Sequence, residues 1–387
     1  MSTHSEIISF FYNHPKYFLR VVSEYYPLNK KELDKYSHFL NWQYVSHNQL
    51  INWNEPMVRA FSDRLHWDVF SMNRFFVDDH QIKRFSSQIE WGFGDLPLEG
   101  SLAYNPFIHW DLASVEKYKD RLCLKSMSYS NQIEWSDQLI DRYLYDWDWK
   151  GLSENEMLPW NLAFFRRYFT FWNIDSYWFT SNGGITGCSE IVEEFWDMLS
   201  PLAIFRNDKL PWNEQGLLEK WKDRLCWFGL ASNEVLHQNP DFFEKNLSHW
   251  MNENRDLFYP LSGNTALAWS IPFFERFIDK WDMEIISTNI ALPWSEEFIG
   301  RYEGILKWGK YETVLSDIFL DYDGIEECQI IHPGLSDNPA LPWSLDFILK
   351  NESKIEFEAL SHNQSAWDKV FKNQITSEIV ETVMRII

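Results

Sequence analysis

A chain of 387 residues with 22 Trp, 30 Phe and 17 Tyr carries a formal net charge of −22. No stretch approaches the ~18 uncharged apolar residues of a membrane-spanning helix, and the acidic excess disfavours direct contact with a nucleic-acid backbone. Four scattered cysteines, and a polar start without an apolar signal core, are the marks expected of reduced thiols in a cytoplasmic protein.

Residues 1–40 are amphipathic, with Ile7, Ile8 and Phe11 followed by Phe18, Val21, Val22 and Tyr25, and predict an N-terminal helical cap. From 41 to 374 one phrase, Leu-Ser-x-Asn-x-x-Leu-Pro-Trp-Ser, returns thirteen times at a spacing of about 25 residues. Its anchors are Asn48, Asn73, Asn105, Ser130, Asn155, Asn182, Asn207, Asn233, Asn264, Asn289, Val314, Asn338 and Asn363, with Ser130 and Val314 as degenerate members. A period of that length predicts an all-α fold: an elongated α-solenoid of about 13 repeats, each with one longer and one short helix. Residues 375–387 predict a C-terminal cap helix.

Within a repeat the signals are local. The Trp is followed by Asn54, Asp111, Ser136, Asn161, Asn213, Ser270, Ser295, Ser344 or Asp368, all residues suited to cap a helix N-terminus. Trp294 before Ser295 can staple onto Ile299. Apolar residues then recur every fourth position, as in Phe298, Tyr302 and Leu306, which predicts a first helix of about three turns. Asp148 and Asp282 predict a second cap and a short second helix. The anchor asparagine suits a left-handed turn at that helix's end, and the following Pro blocks continuation. The alternative is a leucine-rich-repeat-like α/β solenoid, in which the asparagines form a hydrogen-bonded ladder. The apolar spacing of two and then three, with a cap inserted, argues against its strand.

The phrase Trp147-Asp148-Trp149-x-x-Leu152-Ser153-x-Asn155-x-x-Leu158-Pro159-Trp160 resembles the Trp-rich tandem repeats of proteins from large DNA viruses and bacteria. The resemblance covers about residues 40–380 and implies a helical repeat scaffold, with no activity attached. Asn155, Trp160, Asn264, Trp269, Asn289, Trp294, Asn338 and Trp343 are then the expected structural anchors.

Departures from the phrase are where function is expected. Long intervals place insertions at Gly92–Pro97 and Asn252–Asp256. The repeat Asn182-Gly-Gly-Ile-Thr-Gly-Cys-Ser189 has lost its Trp. Such a loop could cradle an anion, but Glu190, Glu193 and Glu194 would repel phosphate, and a wide turn is the better reading. The unit at Val314 contains Asp321, Asp323, Glu326 and Glu327, without the residue order of a calcium loop. Residues 1–125 hold 14 basic against 15 acidic residues, whereas the remainder holds 21 against 42. No catalytic, cofactor-binding or metal-ligating residue is assigned. The expected function is a non-catalytic scaffold for protein–protein binding, its acidic half facing a basic partner through Asp321, Asp323, Glu326 and Glu327. An acidic inhibitor or immunity-type protein, or nucleic-acid mimic, is the alternative; an enzyme with a composite site in a degenerate repeat is a third reading.

Overall fold

A computed structural model describes residues 4–92, 100–174, 176–212, 216–252, 256–316, 326–332 and 334–387, the side chains of 177 and 311–331 excepted. The fold is all-α, with a single two-stranded hairpin among the described residues. Two compact units divide the chain: residues 1–25 with 234–387, and residues 26–233. No described helix is long and apolar enough to cross a membrane.

Each repeat is a pair of short helices. In the unit of residues 26–233 they are Trp149–Glu154 and Leu162–Arg167; in the other, Met283–Thr288 and Glu296–Arg301. All four have 6 residues, short of the three turns expected of the first helix; a longer first helix is found elsewhere, Leu112–Tyr118 with 7 residues before Leu124–Met127 with 4. Phe298, Tyr302 and Leu306 are all buried as their spacing requires. The helix nonetheless ends at Tyr302, and a separate turn, closed by Leu306 N–H on the Tyr302 carbonyl, carries the apolar stripe onward. A four-residue spacing is satisfied by a helix followed by a turn as well as by one long helix.

The caps are where the sequence places them. Asn54, Asp111, Ser136, Asn161, Ser270, Ser295 and Ser344 each accept a backbone N–H from the first helical turn. Asp148 and Asp282 cap the second helices likewise. Asn213 lies outside the described residues. Asp368 is a departure: it sits inside the helical turn Trp367–Phe371. The stretch Gln364-Ser365-Ala366 lacks the usual Pro, so nothing stops the helix before Trp367. The indole of Trp294 meets the ring of Phe298 edge-on at 5.3 Å, and Trp160 meets Phe164 in the same way at 5.6 Å.

The anchor asparagines do something the sequence reading misplaces. None adopts a left-handed conformation, since among the described residues no non-glycine residue has positive φ; Asn155, for example, is extended at φ −80, ψ 112. The amides of Asn73, Asn105, Asn155, Asn182, Asn207, Asn233, Asn289 and Asn363 instead reach back one repeat. Asn155 Nδ2 donates to the carbonyls of Ser128 and Ser130 at 3.0 and 3.1 Å, and Asn105 Nδ2 to those of Ser71 and Asn73. In the other unit Asn289 Nδ2 donates to Ser262 at 2.8 Å and to Asn264 at 3.4 Å. The Oδ1 atoms of Asn155, Asn264, Asn289 and Asn338 accept the N–H two residues on. Their carbonyls take the indole N–H of Trp160, Trp269, Trp294 and Trp343. A buried amide satisfied at every polar atom is specific for its position, because a vacant partner would cost about 1–3 kcal/mol.

A second rung runs beside it. The serine two residues before the anchor donates to the carbonyl four residues back, as Ser153 Oγ does to Trp149 at 2.5 Å. It also accepts an N–H twenty residues ahead: Asn173 on Ser153, Asp282 on Ser262, Lys307 on Ser287. Leu-Ser-x-Asn is therefore the spine of the stack, all three fixed positions being buried.

The repeat expected at Val314 does not exist. Residues Lys310–Ser316 (β1) and Glu326–His332 (β2) form an antiparallel hairpin in which Val314 is paired with Cys328. Asn338 Nδ2 bonds directly to the Ser287 and Asn289 carbonyls, 51 and 49 residues away, the contacts other anchors make at 27 and 25. The outer ion pair Lys350–Glu296 spans 54 residues for the same reason. The thirteen expected repeats are thus one too many.

The lead-in does not behave as one element. α1 (His4–Asn13) and α2 (Pro15–Tyr25) pack on the C-terminal helices of their own unit, with Phe10 stacked on Phe371 at 5.6 Å and Tyr17 edge-on to Phe357 at 5.7 Å. Arg20, buried and paired with Glu24, reaches His362 Nδ1 at 3.1 Å. α3 (Lys30–Tyr36) belongs to the unit of residues 26–233. The final helix, Ser377–Ile386, packs against α1.

Candidate functional site

Two features depart from the stack: the hairpin, and the glycine repeat after Asn182. The hairpin leaves and returns at one neck. Leu335 and Ser336 donate their N–H groups to the carbonyls of Lys307 and Trp308. Gly309 has φ +95, a conformation that side chains disfavour, and a Cβ on Gly334 would collide with the Gly309 backbone. Between Lys310 and His332 the sequence holds one Lys against six Asp and Glu. Of the four acidic residues singled out there, Asp321 and Asp323 lie outside the described residues. Glu326 and Glu327 open β2 and pair in register with Ser316 and Leu315.

Elsewhere the cations are spent between neighbouring repeats. Arg84 pairs with Glu55, Arg142 with Glu116 and Arg167 with Asp137 in one unit; Arg276 pairs with Glu244 and Arg301 with Glu275 in the other. Exposed pairs of this kind contribute only about 0–1 kcal/mol each. The cluster Asp78-Asp79-His80 resolves in the same way. Asp78 caps a helix, and Asp79 takes Lys83, Lys117 and Tyr118, whose hydrogen bonds hold its carboxyl well below the usual range. Among the described residues no group of three His, Cys, Asp or Glu is placed to hold a metal ion.

The glycine repeat keeps the ladder. Asn182 Nδ2 donates to the Ser153 carbonyl at 2.9 Å, and its Oδ1 accepts from Gly184 and Ile185. Where other anchors offer their carbonyl to an indole, Asn182 offers it to Thr186 Oγ1 at 2.9 Å. Gly184 is required by proximity, since a Cβ there would fall 2.6 Å from Trp160 Nε1 and 2.9 Å from the Glu156 carbonyl, whereas one on Gly183 would meet only the end of the Glu156 side chain. With no side chains there, two adjoining cavities of about 480 and 460 Å³ open between the flanking repeats, sharing Glu156 and Lys209 in their walls.

The electrostatics differ from the sequence expectation. Two of the three glutamates expected to repel an anion are engaged elsewhere, Glu193 with Lys220 and Glu194 with Arg166. Glu190 accepts from the Cys188 thiol at 3.2 Å. Burial, and then Glu190, push that thiol above its ordinary pKa, so it is no activated nucleophile. The long-interval insertions fall mostly on 93–97 and 253–255, outside the described residues. Trp160, Trp269 and Trp294 are half-buried and Trp343 is buried, each against the first helix of its own repeat. The buried serine two residues before the anchor, present as Ser46, Ser71, Ser128, Ser153, Ser262, Ser287, Ser336 and Ser361, is not among the expected anchors, although its recurrence beside the asparagine is the signal. No family model, curated protein or solved structure matches this chain.

Proposed function

We propose that this protein is a non-catalytic binding scaffold that holds an acidic hairpin toward a basic partner protein in the cytoplasm. The observation that carries the reading is the direct step of the ladder from Asn289 to Asn338. A segment that the asparagine ladder bypasses, yet is closed at its neck by two backbone hydrogen bonds, is free to serve another purpose. Its chemistry is one-sided, and an unbalanced negative charge steers a basic surface from a distance.

The test is a chain in which residues 310–333 are replaced by one or two glycines between Gly309 and Gly334. The partner retained by the intact protein should be lost by this variant. Changing Asp321, Asp323, Glu326 and Glu327 to Asn or Gln should slow association at low salt and matter less as salt rises. Equal association by all three chains refutes the reading.

A further inference from the structure

We infer that the recess over the glycine repeat is a binding site for a carboxylate, supplied by a peptide C-terminus or a small organic acid. The walls come from three successive repeats. Glu156 stands on the first, Ser181 and Gly183 on the second, and Arg206 and Lys209 on the third. Because Gly183 has no side chain to fill the gap, Lys209 Nζ reaches across it to Glu156 Oε2 at 3.6 Å. A volume of about 480 Å³ lies within the range that takes small ligands.

The chemistry follows from which groups are already satisfied. Glu156 Oε1 accepts the Gly183 N–H at 3.0 Å and its other oxygen faces Lys209. Thr186 Oγ1 donates to Asn182 and accepts from Asn207. No described carboxylate lies within ion-pair distance of Arg206, whereas Arg84, Arg142, Arg166 and Arg167 of this unit are each matched to an acid of a neighbouring repeat. What the recess offers a visitor is therefore donors: a guanidinium, the long-held ammonium of Lys209 and the Ser181 hydroxyl. A planar carboxylate suits the guanidinium fork. A phosphate dianion does not, since Glu156 and Asp208 share the same walls.

Titration calorimetry on the full chain tests this with N-acetylalanine, glutarate, a short N-acetylated peptide with a free C-terminus, the same peptide amidated, and inorganic phosphate. We expect binding of the free-ended peptide or of the small acids, with the stronger arm identifying the source, and none of the amide or phosphate. Arg206→Gln, on an exposed side chain outside the ladder, should weaken binding about tenfold. Glu156→Gln should strengthen it several-fold, because the amide still accepts the Gly183 N–H while releasing Lys209. Absence of heat with every carboxylate at ~10 mM, preference for phosphate, or indifference to Arg206→Gln would each overturn the assignment.

Discussion

The repeats anchored by Asn155 and Asn182 are neighbours in one unit, and only the first carries the full phrase. Both asparagines donate to the preceding repeat at about the same distance, 3.0 and 2.9 Å. They differ in what answers their own carbonyls: the indole of Trp160 in one, the hydroxyl of Thr186 in the other. Ile185 replaces Leu158 as the buried apolar residue that follows. Loss of the Trp is thus not decay of the stack. The ladder is the invariant requirement, the Trp is one way of completing it, and a repeat that completes it differently leaves a recess.

The largest effect should come from the part the two repeats share. Asn155→Ala strands the carbonyls of Ser128 and Ser130 and the N–H of Met157, and should cost about 4 kcal/mol in denaturant melts. Asn182→Ala should cost nearly as much; a loss under about 1 kcal/mol there would separate the glycine repeat from the ladder. Trp160→Ala comes next, at about 3 kcal/mol, since the half-buried ring packs on Phe164 and Trp172 and lies under Gly184.

Gly184→Ala should cost about 2 kcal/mol by overpacking against that ring. Added to Trp160→Ala it should cost much less, because the obstacle is gone. Additive losses in this double-mutant cycle would show that close approach is not why glycine stands there. The smallest effect is electrostatic. Burial raises the pKa of Glu154, and its Oε1 lacks a hydrogen-bond partner. A carboxyl that keeps its proton to higher pH when folded loses stability as pH rises from its unfolded to its folded pKa. Glu154→Gln should therefore raise the melting temperature slightly at pH 7. The gain should vanish as pH falls through the carboxylate range, and a pH-independent gain would point to another cause.

The helix starts were legible because capping is local: Ser295 and the N–H it accepts are three residues apart. The ladder was legible only under the leucine-rich-repeat-like alternative and not in the helical reading, because Asn289 acts on a carbonyl 27 residues earlier and nothing in its own segment says which groups come within reach. The anchor Asn therefore reads as the left-handed turn it tolerates, a conformation that no described asparagine adopts. Helix length was misjudged because Phe298, Tyr302 and Leu306 keep their spacing across a break. The hairpin hid in the arithmetic: 49 residues between Asn289 and Asn338 are close to two repeats, so Val314 fell where an anchor was due. The glycine repeat reads as a wide turn, whereas Gly183–Thr186 is a helical turn capped by Asn182, and the cavities above it depend on side chains from both flanking repeats.

Thermal melting of the chain lacking residues 310–333, set beside Asn338→Ala, tests the central claim most directly. If the asparagine ladder alone carries continuity from Asn289 onward, the excised chain should stay within about 1 kcal/mol of the intact protein. Asn338→Ala should lose several times that. A large loss on excision with little effect of Asn338→Ala would make the hairpin, and not the ladder, the element that joins these repeats.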